Sequence, residues 1–255
     1  MSFTADWLAT RRAADARARN PDVASRLSAH FSGKQSCRVL DLGCGTGANL
    51  EATSVLLPRE QDWTLVDNDP TLLSHLEPTA TVRYRAIQAD LAQDLEGLFD
   101  TPPDLVTASA LFDLAGADFV DHLVQLVTGA AAVFFTVLTY DGEEDWSPSH
   151  PNDSAILSAF HTDQHADKGL GPALGPDATL YLARSLTKAG YAVHLGKSDW
   201  ELHHSTDYTL IRMLADGIHT ATLPALGHVA DAWFAARKNT DAVRIGHMDL
   251  VAFPA

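Results

Sequence analysis

Three carboxylates and a glycine turn carry most of the chemistry this sequence can support. Val39-Leu40-Asp41-Leu42-Gly43-Cys44-Gly45-Thr46-Gly47 runs an apolar segment into an acidic residue and then into alternating glycines. Glycine reaches positive φ without steric cost and lets a ligand approach the backbone, and a helix starting at Ala48 would aim its unpaired N–H groups at that ligand. A nucleotide-like guest suits such a turn. Gly43-x-Gly45-x-x-Ala48 also satisfies the relaxed dinucleotide fingerprint, so the glycines do not choose between nucleotides. Asp41 favours a cationic ligand, because a carboxylate at a strand tip repels a pyrophosphate and attracts an ammonium. Asp67 can accept from both ribose hydroxyls, and Asp90, in Gln88-Ala89-Asp90-Leu91, from the exocyclic amine of adenine.

Other candidates lie further along the chain. Asp113 is the carboxylate nearest the end of the fourth expected strand, where it either orients a substrate or caps the next helix. Tyr140, at the end of the fifth strand, is a catalytic candidate that would close the pocket, against the plainer reading of a packed aromatic. His161 and His165 are four apart and share a face if 153–166 is helical; one of them is a candidate base, His165 being the catalytic candidate and His161 a candidate substrate contact. A zinc-peptidase pattern would need Glu after the first histidine, and Thr162 stands there, so no metal is expected. Lys168, among Gly169, Gly171 and Gly175, and the Arg11-Arg12 pair are candidate contacts to an anionic substrate, against the plainer reading of solvated cations. Cys44 reads as a small lining residue. With Cys37 it makes only two cysteines, which fits reduced thiols and not a disulfide framework.

These residues need a scaffold, and the order of elements supplies one. Two helices divided near Asn20-Pro21 form an N-terminal cap, 1–34. Strands are expected at 37–42, 63–66, 82–87, 105–110 and 131–138, alternating with helices at 48–57, 70–76 and 117–127. Unbroken apolar strands fit a parallel sheet covered on both faces, with ligands at the carboxyl ends of the strands. The polar, Gly- and Pro-rich span 140–177 reads as a lid or substrate segment. A helix at 177–189, a strand at 191–195, two helices within a 202–240 insertion and a closing strand at 248–253 complete a single domain, 1–255. The expected fold is α/β: a doubly wound, Rossmann-like, seven-stranded and mostly parallel sheet with N-terminal helices and helical insertions.

Charge narrows the partners. The chain has 33 acidic against 18 basic residues, a formal net charge of −15, which opposes the attraction that nucleic-acid binding uses. No apolar run is long enough to span a bilayer, and the start lacks the basic and apolar regions of a secretion signal. The expectation is a cytoplasmic protein, monomer or homodimer, with a small-molecule partner and neither nucleic acid nor membrane.

The stretch Val39–Gly47, with Asp67 and Asp90 following in order, resembles the class I S-adenosylmethionine-dependent methyltransferases, well over 37–138 and by strand order alone beyond. The 168–176 segment and first helix look like those of a bacterial small-molecule group of that superfamily. The resemblance implies S-adenosylmethionine as cofactor and S-adenosylhomocysteine as product. By it Asp41, Gly43, Cys44 and Gly45 would hold the methionine part, Asp67 the ribose, Asn68 one adenine face and Asp90 with Leu91 the adenine edge. Ser109 would line the methyl side. The Asn/Asp-Pro-Pro-Tyr/Phe sequence of the amino-methylating nucleic-acid enzymes is missing, since Ser109-Ala110-Leu111-Phe112-Asp113-Leu114 stands there. Rival readings are a nicotinamide-dependent oxidoreductase, a non-catalytic cofactor-binding module, and a methyltransferase acting on a basic protein or on RNA.

Overall fold

The structure, a computed structural model, describes residues 3–77 and 82–255; Met1 and Ser2 of the expected cap lie outside them. Helix α1, Ala5–Ala18, starts where Thr4 accepts the Trp7 N–H. Helix α2, Pro21–Phe31, starts where Asn20 accepts from Asp22 and Val23, with proline at the first helical position. An alternation of strand and helix follows: β1 Ser36–Leu42, α3 Ala48–Ser54, β2 Glu60–Asp67, α4 Pro70–Leu73, β3 Arg83–Gln88, α5 Leu91–Asp94, β4 Leu105–Ser109, α6 Ala117–Gly129 and β5 Val133–Ser147. Asp69 and Asp90 cap the short helices α4 and α5 through the N–H groups of Thr71 and Ala92. Helix α7, Asp153–Gln164, and α8, Ala178–Lys188, lead to β6, Tyr191–Lys197, and β7, Trp200–His203. Helices α9, His204–Leu226, and α10, His228–Ala236, precede β8, Ala242–Pro254.

The sheet order is β3-β2-β1-β4-β5-β8-β6, with β7 paired to β8 off that path. Strands β1 to β5 run parallel, and β8 runs antiparallel to β5, β6 and β7. Register places the site. Leu42 of β1 pairs with Val66 of β2 on one side and with Ala108 of β4 on the other, so the glycine turn leaves the sheet between Asp67 and Ser109. Alternation along β1 then divides its side chains: Leu40 and Leu42 enter the core shared with Phe112, Val120, Leu123 and Leu186, whereas Val39 enters the core of Val23, Leu27 and Trp63. Asp41 shares the face of Val39.

The sequence expectations need one addition and one correction. All seven expected strands are present and form the path of the sheet, and among the described residues Trp200–His203 adds an eighth against β8. Residues 140–147, expected as the first part of a loop, continue β5 and pair with 242–247 of β8 across register shifts. His203 ends β7 and His204 begins α9. This extension of β5, β7 and β8 has its own apolar core, where Trp146, Ile156, Trp200, Ile211 and Trp233 pack beneath α7, α9 and α10. No described helix is long and apolar enough to cross a membrane.

Candidate functional site

One cavity opens where the carboxyl ends of β1, β2 and β4 meet. Its floor is the glycine turn, in which Gly43, Gly45 and Gly47 take φ of +65°, +54° and +85°. A Cβ at Gly47 would lie 2.9 Å from Leu76 Cδ2 and one at Gly45 would lie 3.0 Å from Leu8 Cδ1, contacts that the leucine tips can relieve, so it is the positive φ that demands glycine. Asp67 holds the turn in place: its Oδ2 accepts the Gly45 N–H at 2.8 Å and its Oδ1 the Asp69 N–H at 3.0 Å. Ala110, just past β4 in the same wall, has φ of +52°, a conformation strained for a residue with a Cβ.

The wall takes in most of the residues expected to hold a nucleoside ligand: Gly43, Cys44, Gly45, Asp67, Asn68, Asp90, Leu91 and Ser109. Asp90 also serves as the cap of α5, its second oxygen accepting from Gln93 Nε2 at 2.8 Å. Cys44 is buried and burial pushes its thiol up, so it presents a neutral, compact surface and no nucleophile.

Asp41 lies elsewhere. Strand alternation turns it behind the turn, fully buried, where Asn49 Nδ2 donates to its Oδ1 at 2.7 Å and its Oδ2 finds no partner. Asn49 in turn accepts from Arg19 Nη2 at 2.9 Å, which ties the end of α1 to the turn. Asp41 therefore does not line the cavity, and a direct contact to an ammonium is corrected to a place in the network behind it. Burial raises its carboxyl to about 7, with the Asn49 bond and the Arg19 charge acting in the opposite direction. A folded-state value above the unfolded one means a stability contribution present at low pH and lost as pH rises from about 4 through 7. The stability of Asp41→Asn relative to the wild type should accordingly rise by about 2–3 kcal/mol between pH 5 and pH 8. Urea denaturation of both proteins across that range checks it, and a flat difference contradicts it.

The three expected catalytic residues are also outside the wall. Tyr140 is buried, with its hydroxyl donating to Glu144 Oε1 at 3.0 Å and lying 3.2 Å from His161 Nε2. His165 is at the exposed end of α7, its Nδ1 3.1 Å from the Ala173 carbonyl. Asp113 sits in a 3₁₀ turn, Phe112–Leu114, whose flanking Leu111 and Leu114 face the cavity while its own Oδ1 is buried without a partner. Burial raises the Asp113 carboxyl to about 6, against the nearby Arg11 charge. Of the expected substrate contacts, Arg11 and Lys168 line the cavity; Arg12 pairs with Glu51 on the surface at 3.2 Å, and His161 is spent on Tyr140.

Sequence reasoning missed Phe3, Leu8 and Asp15 on the N-terminal segment and Asn49, Leu111 and Leu114 in the wall. Asp15 was detectable as the partner one turn beyond Arg11, whose Nε donates to it at 2.8 Å. The arrangement is a cleft with a glycine floor whose wall joins the carboxylates Asp15, Asp67 and Asp90, apolar Leu111, Leu114 and Leu170, and the cations Arg11 and Lys168.

Residues 39–129 match a family described as a methyltransferase domain. No curated protein matches the sequence. Among solved structures, a methyltransferase from Thiobacillus denitrificans, crystallised with S-adenosyl-L-homocysteine, superposes with a TM-score of 0.50 at 17% identity, covering 98% of this chain and 99% of its own. A second, from Geobacter sulfurreducens and also with S-adenosyl-L-homocysteine, gives 0.51 at 14% identity over 100% and 99% of the two chains. A cyclopropane-fatty-acyl-phospholipid synthase-like protein from Lactobacillus casei gives 0.56 at 16% identity over 95% and 99%. At such identities these likenesses establish the fold. Residues 39–129 are thus similar to a methyltransferase domain, and the chain as a whole carries the fold of these solved structures.

Proposed function

We propose that the protein moves a methyl group from S-adenosylmethionine to a small polar or anionic molecule. The residues present suit that cofactor. Glycines whose added Cβ atoms would strike Leu8 and Leu76 leave backbone exposed to the methionine part. The Asp67 carboxylate, although it already takes two N–H groups, keeps lone pairs for the ribose hydroxyls. Asn68 and Leu91 would flank the adenine, Asp90 would accept from its amine, and Ser109 would border the methyl side. When bound, the cofactor supplies an electrophilic methyl on a sulfonium.

The observation that carries a small acceptor is enclosure. Helix α1 crosses the glycine turn through Leu8, and residues 168–170 close the opposite side, leaving a cleft and not an open platform. Acceptor and methyl are thus aligned in a site from which much water is excluded. Among the described residues the wall contains no histidine and no tyrosine. Alignment and desolvation are therefore what the chain itself contributes, and an acceptor whose attacking atom already offers a lone pair is the best fit.

Calorimetry with S-adenosylhomocysteine, followed by incubation with methyl-labelled cofactor and a cell extract split by ultrafiltration, tests the reading. Binding, and label in the low-molecular-weight fraction, are expected. Label confined to protein or nucleic acid would overturn the small acceptor, and no binding by folded protein would overturn the cofactor.

A further inference from the structure

We propose that Arg11 is the carboxylate-binding residue of the cavity, an inference that rests on the cofactor reading above. Trp7, Arg11 and Asp15 recur every four residues and so share one face of α1. The Arg11 guanidinium carbon lies 4.9 Å from the Trp200 ring centroid and 5.9 Å from that of Trp7, a clamp of two indoles around one cation. Asp15 fixes the arrangement, because its Oδ2 accepts Arg11 Nε at 2.8 Å while its Oδ1 accepts Trp200 Nε1 at 3.0 Å. Position and orientation of the guanidinium are thereby set by three side chains.

What this leaves unpaired is the outer edge. Arg11 is about one-tenth exposed and belongs to the cavity wall, yet its Nη atoms donate no hydrogen bond to the described residues. Trp7 Nε1, on a ring beside it, is likewise buried without an acceptor. Two parallel N–H groups on a buried, immobilised fork match the two oxygens of a carboxylate. The other cations of the cavity wall and of the first helix and its C-cap are already engaged: Lys168 with Asp163 at 2.7 Å, Arg12 with Glu51, Arg17 with Asp207, and Arg19 with Asn49 and Thr53. The carboxylate belongs either to the methionine end of the cofactor or to the acceptor.

Calorimetry of the wild type, Arg11→Met and Arg11→Lys with S-adenosylhomocysteine and with 5′-methylthioadenosine, which lacks the amino-acid portion, separates the two sources. If the cofactor supplies the carboxylate, Arg11→Met weakens S-adenosylhomocysteine by about tenfold or more and leaves methylthioadenosine unchanged. If the acceptor supplies it, both nucleosides bind unchanged. Benzoate then raises the melting temperature of the wild-type S-adenosylhomocysteine complex but not that of Arg11→Met, and benzamide raises neither. Arg11→Lys keeps the charge without the fork, and a partial loss is expected; it carries the test if Arg11→Met does not fold. Equal weakening of both nucleosides, or no discrimination by carboxylate in either arm, overturns the proposal alone. A wild type that binds neither nucleoside overturns the cofactor reading and this proposal with it.

Discussion

Asp67→Ala is expected to weaken S-adenosylhomocysteine binding by about a hundredfold or more and to destabilise the fold by ~2–4 kcal/mol. Both effects come from one carboxylate at the end of β2. In the protein it accepts the Gly45 N–H at 2.8 Å and the Asp69 N–H at 3.0 Å from a position only 9% exposed. Alanine leaves both donors without their partner, at about 1–3 kcal/mol for each that stays buried. It also removes the acceptor for the ribose and frees the glycine turn that forms the floor of the cleft, so the loss in affinity exceeds that of one hydrogen bond. Asp67→Asn separates these contributions, since it keeps an oxygen for one N–H and turns an amide N–H₂ toward the other. Its stability should fall between those of the wild type and Asp67→Ala. Calorimetric titration together with urea denaturation reads both quantities. Full affinity in Asp67→Ala would remove the carboxylate from the ribose site.

The parallel half of the fold was legible because local signals and tertiary demand agree there. Apolar β1, β2, β4 and β5 alternate with helices that carry their own caps at Asn20, Asp69 and Asp90, and the register then brings the glycine turn, Asp67 and Ser109 together. The antiparallel half was legible only in outline. Asp141-Gly142-Glu143-Glu144-Asp145 has the composition of a loop and is held extended by β8, where Arg244 joins Glu143 at 2.9 Å. Asp41 illustrates a different limit. Its place in the motif was plain, but the two-residue period of β1 turns it toward Asn49, away from the ligand side. Asp15 meets Trp200 across 185 residues, a contact that spacing along the chain does not reveal. The catalytic candidate Tyr140 lies outside the cleft wall for a related reason: it is buried in the core that the unforeseen β extension creates, where its hydroxyl meets Glu144 and His161 of α7.

The same extension makes Asp153 the most sensitive position outside the cleft. Arg237 is 2% exposed, lies between the rings of Trp146 and Trp233 at 5.1 and 4.9 Å, and donates through Nη2 to Asp153 Oδ1 at 2.6 Å. Burial lowers the tendency of this guanidinium to hold its charge, and the carboxylate of Asp153 is the leading influence that opposes it. Asp153→Ala leaves a cation between two indoles, with the Pro148 carbonyl, accepting Nη1 at 3.1 Å, as its remaining hydrogen-bond partner and Glu144 as a more distant carboxylate, and should destabilise the protein by about 3–5 kcal/mol. Arg237→Met should cost less, about 1–3 kcal/mol, because Asp153 is 29% exposed and still accepts the Trp233 Nε1–H and the His150 N–H. The asymmetry has a testable consequence. The double variant Asp153→Ala/Arg237→Met should be more stable than Asp153→Ala alone, since the second change removes the buried charge that makes the first severe. Urea denaturation of the four proteins closes the cycle. Additive losses would mean that Arg237 reaches water when Asp153 is gone, and that the pair does not pin α7 against α10.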